Sequence, residues 1–105
     1  MSIVVGKRDS QLLHAVCVHA WNVLGHDELE VSVYQDTVVV VRGWERFYFT
    51  RDARAPGGWR ASHAVVATKP PAPLDWAPPR GSSPKAVADA IVAAVRAHPP
   101  ERTTP

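Results

Sequence analysis

Sulfur and lysine are both scarce in this 105-residue chain. It has one cysteine, one methionine, and three lysines (Lys7, Lys69 and Lys85) against nine arginines. The lone Cys17 excludes an internal disulfide framework and any multi-cysteine zinc site. No apolar run approaches the ~18 residues of a membrane span. The run Ile3-Val4-Val5 is too short for a signal peptide. These absences predict a cytoplasmic protein with no membrane contact. Arginine in place of lysine, together with abundant alanine, valine and proline, fits a high-GC genome of bacterial or phage origin.

The motifs of common chemistries are missing too. There is no G-x-S-x-G elbow, no HExxH helix and no glycine loop to cradle phosphate. His14 and Cys17 stand three apart, but a metal needs about four ligands and none follows at a recognisable spacing. Cys17 sits among apolar helix residues, where a thiol is inert. His63 or His14 with a carboxylate would be the starting point of any spatially assembled active site. The expectation is therefore a non-enzyme with no catalytic, cofactor-binding or metal-ligating residues and no cofactor. No motif carries a family assignment.

What is present is an ordinary globular composition, 46% hydrophobic with a formal net charge of +2. That suffices for one core, and the expectation is a single domain over 1–98 with a disordered tail at 99–105. Asp9 or Ser10 can cap a helix over 10–24 whose stripe is Leu13, Val16, Cys17, Ala20 and Leu24, with Gly25 closing it. Leu29, Val31 and Val33 alternate with polar residues as a half-buried strand, and Gln35-Asp36 is a two-residue turn. The run 37–42 reads as a strand covered on both faces, and 46–51 alternates Phe47 and Phe49 with Arg46, Tyr48 and Thr50. After Pro56-Gly57-Gly58 a fourth strand spans 59–67. Five prolines between 70 and 79 then read as an extended crossing, with Leu74 and Trp76 packed over the body. Ser83-Pro84 caps a second helix, which Pro99-Pro100 stops.

The predicted fold is thus α+β: an N-terminal helix, a four-stranded antiparallel meander, a proline-rich crossing and a C-terminal helix. Two layers place both helices on one sheet face. The other face would collect Tyr34, Arg46, Tyr48 and Arg60, with Val39 and Val41 as an apolar patch and an exposed Trp44 at the turn. Monomers avoid such patches unless they serve an interface. A protein partner or a homodimer is the favoured occupant, with these seven residues as its contact set. Nucleic acid, met by Tyr48, Arg46, Arg60 and Arg42, is the second.

Overall fold

The computed structural model describes residues 7–100. The expected tail from residue 101 onward and the Ile3-Val4-Val5 run lie outside them. Two helices and five strands follow in the order α1 (Lys7–Leu24), β1 (Glu30–Tyr34), β2 (Thr37–Arg42), β3 (Glu45–Arg51), β4 (Trp59–Val65), β5 (Lys69–Leu74) and α2 (Pro84–Ala97). The class is α+β with an antiparallel sheet ordered β1-β2-β3-β4-β5. No described helix is long and apolar enough to cross a membrane.

α1 buries Leu13, Val16, Ala20 and Leu24, the apolar stripe of its sequence. It already includes Lys7, so Asp9 and Ser10 lie within the helix rather than at its N-cap. Its end also differs from expectation. A 3₁₀ turn, Gly25–Asp27, carries the chain past Gly25, and the left-handed residue is Glu28 at φ 61°. The Leu29 N–H then donates to the Leu24 carbonyl at 3.1 Å, closing the helix end. Leu29 precedes β1 rather than belonging to it.

The strands are a simple meander because two of their connections are two-residue turns, Gln35-Asp36 and Gly43-Trp44. Positive φ at Gln35 (56°) and Gly43 (59°) matches the twist of the flanking strands. β4 ends at Val65, two residues before the expected limit. The chain then reverses through Ala67, at φ 67°, into a fifth strand that the prolines had argued against.

β5 pairs antiparallel with β4, with Leu74 opposite Ala61, Pro73 opposite Ser62 and Ala72 opposite His63. It tolerates proline because it is an edge. Starting from the tight turns and alternating hydrogen-bonded pairs across the sheet, Ala72 and Leu74 bond β4 while Pro71 and Pro73 point their missing N–H outward. The predicted crossing is therefore a strand first and a connector only afterwards. The loop before β4 packs against that connector. Gly57 adopts φ 68°, and a Cβ there would overlap the carbonyl oxygen of Pro78.

One core joins the layers. Val38, Val40, Phe47, Phe49, Trp59 and Ala61 share one parity of the sheet and cluster with the buried stripe of α1 and with Val87, Ala88, Ile91, Val92 and Val95 of α2. β2 was expected to be covered on both faces. Only Val38 and Val40 are buried, while Val39 and Val41 are half-buried, because both helices contribute to the core on the same side. Trp76 crosses over this core edge-on to Phe49, 4.9 Å between ring centroids, and its Nε1–H donates to the Ala90 carbonyl at 3.2 Å. Ser83 caps α2 as its sequence predicts, Oγ accepting from the Ala86 N–H at 3.2 Å.

Ser83→Ala should cost about 1 kcal/mol and Phe49→Ala about 3–5 kcal/mol, both read from the midpoint of urea unfolding at unchanged slope.

Candidate functional site

The strand register builds the open face of the sheet in rows. Ser32, Val39, Tyr48 and Ser62 lie side by side, as do Glu30, Val41, Arg46 and Ala64. A third row runs Tyr34, Thr37, Thr50 and Arg60, with the Thr37 and Thr50 hydroxyls hydrogen-bonded at 2.9 Å. Tyr34, Val39, Val41, Arg46, Tyr48 and Arg60 therefore share one face. Trp44 stands at its margin in the β2–β3 turn, its side chain exposed and its carbonyl accepting from the Val66 N–H at 2.8 Å. Toward β5 the face deepens into a groove of about 640 Å³ bordered by Tyr48, Thr50, Arg60, Ser62 and Pro73, with Trp76 at its end.

The arginines of this region divide by what their guanidinium groups do. Arg46 folds back on the turn, Nη1 donating to the carbonyls of Gly43 (2.9 Å) and Glu45 (3.0 Å). Arg60 is exposed, with Nε 3.5 Å from an Asp52 carboxylate oxygen. Arg42 does not reach the face at all. Its partner across the turn is Glu45, on the helix-facing side of the sheet. The set expected to meet nucleic acid thus loses Arg42 to the interior.

Inside lies a polar cluster that sequence spacing does not announce. Arg42 grips Glu45 with Nε to Oε2 (2.7 Å) and Nη2 to Oε1 (2.9 Å), and its Nη1 donates to the Val95 carbonyl at 2.8 Å. The guanidinium also lies over the Phe47 ring, 5.0 Å from its centroid. His63 donates from Nε2 to Glu45 Oε1 at 3.0 Å. His98, just past α2, stacks at 4.2 Å on the His63 ring, with Nδ1 3.9 Å from the same oxygen. Glu45 is only 4% exposed and His63 only 1%.

One signal for this cluster was readable. Arg42 and Glu45 flank a two-residue turn, so they must oppose each other on one face. Nothing local joins them to His63 or His98, which arrive from β4 and from the end of α2.

Glu45, His63 and His98 hold their ligand atoms within 4.8 Å of one another, a donor set of metal-site type. The residues around it do not suit a cation. Arg42 engages both carboxylate oxygens, so a cation held there would compete with a guanidinium for the same carboxylate. No buried side-chain nitrogen or oxygen among the described residues lacks a partner. His63 does meet a carboxylate, as an active site would need, but enclosed in the core rather than lining the groove. Cys17 is half-buried on α1, and that burial pushes its thiol up. Comparison with protein-family models, with curated proteins and with solved structures finds no match.

Glu45→Ala strands a buried guanidinium and should cost about 3–5 kcal/mol, whereas the double change Arg42→Met with Glu45→Leu should recover most of that loss in chemical unfolding. Because its thiol is held protonated, Cys17 should alkylate with iodoacetamide more slowly than a free cysteine at pH 8, with its rate inflecting at higher pH.

Proposed function

We propose that this chain is a cytoplasmic, non-enzymatic binding module whose open sheet face docks a protein partner. The observation that carries the reading is the pair Val39 and Val41, half-buried in the centre of a face that no described element covers. Tyr34, Tyr48, Arg46 and Arg60 surround them and Trp44 stands at the margin. Apolar centres ringed by tyrosine and arginine are the usual make-up of an interface. Tyr48 adds a rigid wall to the groove, and a chain laid along Ser62 and Pro73 would meet both an aromatic face and the Arg60 charge. A second copy stacked face to face is the homodimeric version of the same reading.

The nucleic-acid alternative rests on Tyr48 and Arg60, since Arg42 is internal and Arg46 is engaged by carbonyl groups. One exposed guanidinium beside Asp52 supplies little of the phosphate neutralisation such binding requires. An enzymatic alternative would start from His63 with Glu45, which the core encloses, or from His14, which is exposed on α1.

A photo-crosslinking residue in place of Tyr48 should capture a protein in cell extract, saturably, and Val41→Glu should abolish that capture while changing stability by no more than about 0.5 kcal/mol. Capture of nucleic acid instead, with affinity falling steeply between about 50 and 200 mM salt, would transfer the function to the alternative. Absence of any Val41-dependent product would refute the face as a docking site.

A further inference from the structure

The two edges of the sheet differ in what they offer a neighbouring strand. At β5 the outward positions are Pro71 and Pro73, which have no N–H to give, with Pro70 beside them. At β1 the alternation set by the Gln35-Asp36 turn makes Tyr34–Thr37 and Ser32–Val39 the hydrogen-bonded pairs with β2. The N–H and C=O groups of Val31 and Val33 then point away from β2. Among the described residues no backbone hydrogen bond outside the regular elements involves either of them. β1 carries no proline, no lysine and no bulge.

Exposed large apolar side chains gather at this same edge. Six are exposed in all among the described residues, and four of them belong to α1 or β1: Val18, Trp21, Val33 and Tyr34. α1 packs on β1 and β2 and against α2. Leu12 and Val23, on one flank of α1, pack into the core. Trp21 lies on the opposite flank, so it overhangs the β1 edge, with Val18 one turn before it.

We infer that a second copy of this chain pairs with β1, strand to strand and antiparallel, to form a closed dimer with a continuous ten-stranded sheet. The segment Glu30-Val31-Ser32-Val33-Tyr34 is self-complementary for this. A two-fold axis through Ser32 sets Val31 against Val33 of the second copy and Glu30 against Tyr34, with no like charges opposed. It leaves Ser32 facing Ser32 as the non-hydrogen-bonded pair and closes four backbone hydrogen bonds through Val31 and Val33.

The available area is of the right order. An aromatic side chain can bury roughly 150–250 Å². Trp21 at 56% exposure and Tyr34 at 70% therefore leave about 250 Å² per copy. Both copies together supply about half of the roughly 1,000 Å² a specific interface needs, before Val18, Val33 and the strand edges are added. The proline-blocked β5 edge stops the assembly at two copies instead of a filament. Only Tyr34, at the margin of the open face, is shared with this dimer; Val39, Val41, Arg46, Tyr48 and Arg60 stay uncovered, so the inference stands or falls apart from the proposed function.

Sedimentation equilibrium of the full chain should show a monomer–dimer equilibrium. Val33→Pro removes an outward donor without touching a bond to β2, and should raise the dissociation constant at least about tenfold. If circular dichroism shows that variant unfolded, Val33→Lys, which charges the same edge, takes its place with the same expectation. In a Cys17→Ala background, Ser32→Cys should form an intermolecular disulfide on mild oxidation, faster than Val39→Cys. A monomer at millimolar concentration, a dimer indifferent to both Val33 changes, or faster crosslinking from Val39→Cys would each overturn the edge dimer. The last of these would favour face-to-face stacking.

Discussion

The carboxylate of Glu45 is the point at which β2, β3, β4 and the end of α2 are tied together. Arg42 forks onto it from β2, His63 donates to it from β4, and the same guanidinium reaches the Val95 carbonyl in the last turn of α2. Burying two charges costs several kcal/mol each, so the pair is weak ground for stability by itself. Its value lies in register. A one-residue slip between β2 and β3 would carry one partner to the open face and leave the other buried alone. The guanidinium also meets α2 at its carbonyl end, where the helix dipole favours positive charge. Sheet register and the seating of α2 are thus coupled through one side chain.

That coupling explains why the cluster is better read as architecture than as chemistry. No buried side-chain nitrogen or oxygen in it lacks a partner, and the aromatic rings of Phe47, His63 and His98 close around it. A reactive site needs a group held short of satisfaction and a route for a substrate. The groove has the route, and its walls include Tyr48, Arg60, Ser62, Pro73 and Asp75.

Among the described residues the sheet is finished on one side and at one edge only. Two helices cover one face, and prolines close β5. The valine-rich β2 consequently shows Val39 and Val41 to the outside, and β1 keeps two residues' worth of backbone that no described strand pairs. Face and edge are chemically different: the face offers aromatic and guanidinium contacts, the edge offers main-chain hydrogen bonds flanked by Trp21. A protein can use both at once, because strand pairing at β1 takes only Tyr34 from the margin of the face and leaves its centre at Val39, Val41 and Tyr48 open.

Elements defined by neighbours in the chain were legible from sequence. The Ser83-Pro84 cap, the apolar stripe of α1, the Gln35-Asp36 turn and the alternation of Phe47 and Phe49 depend on contacts a few residues apart. Their periodicity also sorted the two sheet faces, so that Tyr34, Val39, Val41, Arg46, Tyr48 and Arg60 fall together. What depended on distant partners was not legible. β5 looked unfit for a sheet because proline cannot donate. Only its place at the edge, where the donor is not needed, makes it a strand. Arg42 looked like a surface charge until Glu45, His63 and Val95 closed around it. Local sequence reports the preference of each segment, whereas the Arg42–Glu45–His63–His98 cluster and the fifth strand exist because residues far apart in the chain satisfy one another's hydrogen bonds, and only the folded arrangement decides which do.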